Sequence, residues 1–391
     1  MPLNDREYQE AFLGEIIPGQ EPKLVGDNII PVCEPDIDPK VKEYVNEAID
    51  STWISSRGKY IGLFEQEFAE KVGAKYAVAV NSGTSALHLA MAAIDLRHGD
   101  EVIVPTFTMI STAYAVSYMG ATPIFVDCDE YYQMDVEEVK KAITSKTKLI
   151  LPVHIYGHPV DMDAIEALGI PVIYDACEAH GALYKGEKIG GRGLASCYSF
   201  YANKILTTGE GGMFATNDEQ LAKQARNMKD VSFSTERHFW HKKIGFNYRM
   251  TNICAAIGYA QVQRFDELVA AHIFNAEEYI YNLKDVPGLT MPKVAPWADH
   301  VFWMFGIEVD ADEFGMSRDE LRTYLADRGI ETRTFFVPMH LQPYYYQGRR
   351  VMPNAERLSE RGMYLPSSSK LTIEQHERVC STIKKAYDEF H

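Results

Sequence analysis

The stretch YAVAVNSGTSALHLAMAAI, from Tyr76 to Ile94, changes its rhythm halfway. Its first five residues form a short apolar run of strand type, and the residues from Ser85 onward recur at helical spacing. Gly83 between them permits a tight turn. A helix that begins near Thr84 and Ser85 leaves free backbone N–H groups and the positive end of its dipole pointing out of its N-terminus. Such a terminus receives a phosphate, and the hydroxyls of Thr84 and Ser85 add donors. The same residues also make an ordinary strand–helix turn with Ser/Thr capping.

Working outward, the alternation continues. EVIVP, TPIFVDCD, KLILPVHIYG and PVIYDAC read as strands, and TMISTAYAVSYMG, DVEEVKKAIT and DMDAIEALG between them read as helices. Short apolar strands alternating with helices predict a mostly parallel sheet covered on both faces. After Thr216 the rhythm breaks. Phe265 to Asp285 is a long amphipathic helix, followed by strand, helix and strand in VFWMFGIEVD, SRDELRTYLADRG and IETRTFF, and by a last helix in TIEQHERVCSTIKKAYDEF. The expected division is an N-terminal arm over 1–28, a large α/β domain over 29–264 and a smaller α+β domain over 265–391. The 391 residues, 46% of them hydrophobic, suffice for two cores.

The formal net charge of −16 argues against a general nucleic-acid or membrane-surface binder, since both need basic patches. No apolar run is long enough to cross a bilayer. The six scattered cysteines form no C-x-x-C pair, so a disulfide framework or a metal site is not expected. The N-terminus is not read as a signal peptide, and the expected location is the cytoplasm.

Two further features stand beside the Gly83 turn. In PVIYDACEAHG, Asp175 closes a strand, at the end where open α/β sheets collect ligands. In YSFYANKILTTGEGGMFATND, Tyr198 to Asp218, Lys204 sits between an aromatic run and a glycine-rich turn, with Ser199 five residues before it. Singly, these are a strand-end aspartate and a surface lysine. Together, a phosphate cradle, a carboxylate and a lysine are the parts that a pyridoxal phosphate (PLP) site needs: an amine for the aldehyde, an acid for the pyridine nitrogen and donors for the phosphate. Gly209, Gly211 and Gly212 would let backbone pass close to the cofactor, or serve only the turn.

These stretches, with WISSRGKYIGLFEQEFA, PTFTMISTAYAV, PVHIYGHPVDMD, GFNYRMTNICAAIGYAQ and FFVPMHLQP, resemble the DegT-type nucleotide-sugar aminotransferases from about Ile30 to the C-terminus. The resemblance implies the fold type I, aspartate-aminotransferase-like architecture and a homodimer with shared active sites. It implies Lys204 as the Schiff-base lysine, Asp175 at the pyridine nitrogen and Glu178 facing the cofactor ring. It places Gly83, Thr84 and Ser199 on the phosphate, and Asn247 on the phosphate of the other subunit's cofactor. At Met109 many relatives carry an aromatic residue that stacks on the ring; a thioether can lie there too, with Phe107 the weaker substitute.

PVHIYGHPVDMD, EAHG and NKILTTGEGG look most like the branch that aminates a GDP-linked 4-keto-6-deoxymannose with L-glutamate as donor, with Lys204 moving the proton. UDP- or dTDP-linked keto-sugars are the alternatives. A PLP-dependent sugar dehydratase of this fold would carry histidine in place of Lys204, and a silent protein of the same fold would not need the lysine, the aspartate and the turn intact. For the sugar nucleotide the candidates are Trp53, Ser55 and Ser56 with Arg57 and Lys59, His154 and His158 near Tyr156, and Arg333 and His340. Arg333 has a physical case through bidentate contacts to phosphate. Its bland reading is an ion pair, and that of the histidines is local backbone satisfaction. Tyr344 to Tyr346 read as surface packing.

Overall fold

A computed structural model of the chain describes residues 21–26, 28–234, 236–237, 239–348 and 350–390. The expected arm over 1–28 lies outside the described residues at positions 1–20 and 27.

The first half builds strands β1 (Tyr76–Val80), β2 (Glu101–Pro105), β3 (Thr122–Val126), β4 (Thr147–Ile150) and β5 (Ile173–Asp175). They are followed by the short β6 (Leu183–Tyr184) and β7 (Glu187–Lys188), then β8 (Ala195–Ser199) and β9 (Gly212–Thr216). Pairing gives two blocks, β1-β9-β8-β5 and β3-β2-β4. Parallel bridges between Ile150 and Val172 and between Val153 and Asp175 join them into one seven-stranded sheet. β2 runs parallel to β3 and β4, and β5 to β8. β9 alone is reversed, antiparallel to both β1 and β8. Neither β8 nor β9 was expected as a strand; their apolar runs are short and flank the Lys204 loop.

Helices follow the parallel strands as the alternation predicts. Gly83–Ala93 is buried along nearly its whole length, as befits a helix that is apolar all round. Ile110–Tyr118 follows β2. On the outer side of β1 the buried carboxylate of Glu65 accepts from Ala79 N at 2.8 Å and from Arg226 Nη1 at 2.5 Å, with Lys229 Nζ at 3.2 Å. The edge strand is thereby pinned to two cations of the helix Glu219–Lys229.

The second half adds β10 (Leu289–Thr290), β11 (Ala298–Asp299), β12 (Phe305–Val309), β13 (Arg333–Thr334) and β14 (Gly362–Leu365). β10-β12-β14-β13 is an antiparallel sheet, and β11 instead pairs with β6. The long helix Phe265–Leu283 puts Phe265, Leu268 and Val269 into the larger apolar cluster and Ala276, Tyr279 and Leu283 into the smaller one. Asp127, after β3, accepts from Asn354 N and Ala355 N at 3.1 and 2.9 Å, and so caps the helix Pro353–Arg361 from the other half of the chain.

Candidate active site

The C-terminal ends of β1 and β5, the N-terminus of Gly83–Ala93 and the loop between β8 and β9 meet around one cavity of ≈ 360 Å³. Gly83, Thr84, Met109, Asp175, Glu178, Ser199 and Lys204 all line it. Residues far apart in sequence are thus brought together because β5 and β8 are neighbours and β9 lies against β1.

The two glycine turns touch. Val80 is opposite Gly212 in the β1–β9 register. A Cβ on Gly212 would stand 2.2 Å from the carbonyl oxygen of Ser82, and one on Gly83 would stand 2.7 Å from Cβ of Ser199. Neither position has room for a side chain. Ser82 caps the helix: its hydroxyl accepts from Ser85 N at 3.1 Å and donates to Ser85 Oγ at 2.9 Å. Of the two hydroxyls expected to face a phosphate, that of Ser85 meets Ser82 inside the turn and does not line the cavity, whereas Thr84 does.

Asp175 is held from two sides. Thr112 Oγ1 donates to its Oδ2 at 2.7 Å, and Cys177 N donates to Oδ1 at 3.1 Å. Glu178 is buried, and its Oε2 accepts from Tyr156 N at 2.8 Å. Burial pushes its carboxyl up to about 7, against the pull of Lys204. Lys204 Nζ lies 3.7 Å from Glu178 Oε1 and 3.4 Å from the centroid of the Trp303 ring. Met109 is 48% exposed on the cavity wall, whereas Phe107 is buried among Tyr132, Tyr156, Phe335 and Phe336 and does not line it.

The substrate candidates fare differently. His154 is fully buried; its Nδ1 accepts from Val160 N at 3.1 Å and its ring stacks on Tyr174. His158 Nε2 accepts from Ala295 N at 3.0 Å, and its Nδ1 donates to the Pro159 carbonyl at 2.8 Å. Desolvation lowers both, to about 3 and about 4, so both are neutral packing groups behind the cavity rather than on it. His340 is likewise buried, between Thr106 Oγ1 at 2.7 Å and Glu356 Oε1 at 3.2 Å. The reading of these three as groups facing a sugar is corrected: none of them lines the cavity, each is buried, and each has at least one ring nitrogen bonded to the main chain or to a neighbouring side chain.

Arg333 pairs with Glu331 at 2.5 Å and Glu21 at 3.4 Å. Trp53 is 56% exposed and lines a separate surface depression with Glu47, Lys59 and Asn252; Ser55 is exposed and Ser56 half-buried beside it. Asn247 lies outside the cavity, where its Oδ1 accepts from Arg249 Nε at 2.9 Å. Tyr345 packs through a 2.8 Å hydroxyl contact to Ser117, and Tyr344 is exposed.

The cavity also includes Trp303, Phe336, Tyr364, Asn203 and Cys177, none of which stood out in the sequence. Trp303, Phe336 and Tyr364 come from the second half of the chain, and only the folded topology delivers them. Thr112 had a signal: it lies three residues after Met109, in the first turn of Ile110–Tyr118.

Known proteins resemble this chain over most of its length. GDP-perosamine synthase of Escherichia coli O157:H7 is 46% identical over 365 residues, covering 92% of this chain and 99% of that one. GDP-perosamine synthase of Vibrio cholerae is 40% identical over 367 residues, covering 92% and 100%. The crystal structure of the aminotransferase TlmJ from Streptoalloteichus hindustanus superposes with a TM-score of 0.87 at 29% identity, covering 92% and 99%. A family model matches residues 35–384, and the chain that carries Lys204, Asp175 and the Gly83 turn is a member of the DegT/DnrJ/EryC1/StrS aminotransferase family.

Proposed function

We propose that the protein is a PLP-dependent aminotransferase that moves an amino group from L-glutamate to GDP-4-keto-6-deoxy-D-mannose, giving GDP-perosamine. One observation carries the reading. Lys204, Asp175, Glu178 and the Gly83–Thr84 helix terminus share one cavity, in a chain 46% and 40% identical to two GDP-perosamine synthases.

The cavity fits the cofactor. A helix N-terminus that admits no Cβ at Gly83 suits a phosphate held by backbone, and a strand-end carboxylate and an amine complete the donor set. Gly83, Thr84 and Ser199 would hold the phosphate and Asp175 the pyridine nitrogen, with Met109 and Glu178 facing the ring. When bound, PLP supplies an aldehyde that carries the amine and a ring that takes up the electron pair left at the donor α-carbon. Lys204 Nζ accepts the proton from that carbon and returns it on the other side of the transfer. Thr112 and Cys177 N orient Asp175, so that the carboxylate meets the nitrogen without first turning.

The working unit is proposed to be a homodimer in the cytoplasm, with Asn247 reaching the partner's phosphate. Phe239, Trp240 and Ile244 are exposed apolar side chains on the segment just before Asn247, as an interface requires. Among the described residues no helix is long and apolar enough to cross a membrane. Trp53, Ser55, Ser56 and Arg333 remain the proposed contacts to the nucleotide.

The test is mass spectrometry of products after incubation with glutamate and GDP-, UDP- and dTDP-linked keto-sugars. An aminated GDP sugar is the expected product. Amination of only a UDP or dTDP sugar would move the reading to that nucleotide, and no amination of any would sink it.

A further inference from the structure

Lys204 belongs to a closed ring of contacts. Its Nζ lies 3.4 Å from the centroid of the Trp303 ring. Trp303 N donates to the Tyr156 carbonyl at 2.8 Å. Tyr156 N donates to Glu178 Oε2 at 2.8 Å, and Glu178 Oε1 returns to Lys204 Nζ at 3.7 Å. The Trp303 side chain also holds the main chain beside the lysine, for its Nε1 donates to the Asn203 carbonyl at 2.7 Å.

One aromatic side chain thus reads two consecutive residues, with its face on the amine of one and its edge on the backbone of the other. The ring cannot drift, because Trp303 is 3% exposed. Tyr156 makes both of its main-chain contacts from a φ of +54°, a region that non-glycine residues avoid. Strain of this kind persists only where the surroundings hold it. Here Glu178 holds the N–H and Trp303 holds the carbonyl.

A cation against a desolvated indole face is attracted to the ring's electrons. An uncharged amine gains much less there. The ring therefore discriminates between the two forms of the lysine that a proton carrier must pass through.

We propose that Trp303 is a positioning residue for Lys204: its ring face receives the amine as an ammonium and keeps it on the Glu178 side of the cavity while it carries the transferred proton. This rests on the reading of Lys204 as the reactive amine. The proton is held at Nζ between its removal and its return, with Glu178 as the counter-charge.

The groups that face the amine are known. Glu178 and Asp175 come from the end of β5, and Glu210 from the loop before β9. His180, Cys33 and Cys177 interact with it electrostatically, and the phenols of Tyr201 and Tyr364 share the cavity. None of these groups is itself substituted when Trp303 alone is changed.

The experiment uses cofactor-free protein, so its result does not depend on sugar, donor or turnover. Trinitrophenylation of Lys204 by trinitrobenzenesulfonate, in which the neutral amine displaces sulfite from the ring, is followed from pH 6 to 11 by peptide mass spectrometry. In Trp303→Leu the midpoint is expected to move down by about one pH unit, because the ammonium has lost its stabilising face. In Trp303→Phe, which keeps a weaker face, the shift is smaller. Isosteric replacement of the four tryptophans by mono- and difluorotryptophan should lower the midpoint stepwise, and this arm holds even where the leucine variant does not fold. Midpoints that stay with the parent across the fluorinated series overturn the proposal. A shift in cofactor-free protein that transaminates no sugar would leave it standing and remove only the substrate reading.

Discussion

At Lys204 the amine reads as a carrier rather than a surface charge because a carboxylate and an aromatic face stand within 3.7 and 3.4 Å of it. Lys204→Ala is expected to lower turnover by at least roughly 100-fold while some PLP stays bound noncovalently, seen as retained cofactor after gel filtration. Full activity in that variant would end the mechanism. Asp175→Asn should cost roughly 100-fold in rate with far less effect on cofactor retention, measured as kcat against bound PLP. Glu178 adds a dependence on pH. Burial raises its folded value from 4.5 to about 7, so its neutral form stabilises the cofactor-free fold at low pH. That contribution is full below about 4.5 and is lost as pH rises through about 7. Glu178→Gln should flatten the corresponding fall in Tm; an unchanged slope between pH 4.5 and 7 would remove the assignment. Asp175 was legible because it closes an apolar strand. His154 and His158 were misread because a histidine's task is set by its partners, here Val160 N and Ala295 N, and those partners are visible only in three dimensions.

The strand–turn–helix from Tyr76 to Ala93 was readable because its signals are local: five apolar residues, a glycine and a helical repeat. β9 was not, because its pairing with β1 joins segments far apart in sequence. The role left open for the second glycine turn is settled for Gly212, which is needed where β9 passes the Ser82 carbonyl. Gly212→Ala is therefore expected to push the Ser82–Gly83 loop outward and weaken PLP retention at least roughly 10-fold, through loss of aimed N–H donors. Equal retention in parent and variant would show that the loop yields without cost. The Glu65 staple is a second element-level device. Removing a buried carboxylate that serves Lys229 and Arg226 should destabilise the fold by roughly 3 kcal/mol, read from the denaturant midpoint of Glu65→Ala.

Across the whole molecule, the acidic charge and the alternation of strands and helices in the first half were legible from composition and period alone. The crossing of the long helix between two apolar clusters, and the arrival of Trp303 and Tyr364 in a cavity floored by the first half, were not. Periodicity says which face of an element is buried, not which distant element buries it. The proposed dimer is tested at this scale. Trp240→Glu with Ile244→Glu should convert a dimer to a monomer by light scattering and lower activity with it; an unchanged mass would move the interface elsewhere.

The reversed β9 has a consequence for how the chain reaches its native state. β1 emerges early in synthesis, and its in-register neighbour is not made until Thr216 has been added. Closing so long a loop costs entropy before the strand pair returns any stabilisation, and sheets rich in such distant pairings fold slowly. Until then the Ser82–Gly83 loop lacks the backbone against which it is braced. A nascent chain can make its parallel strands and their helices while still unable to grip an anion, so competence to hold the cofactor arrives as one late event, when the strand that follows the lysine loop slots in between two already made.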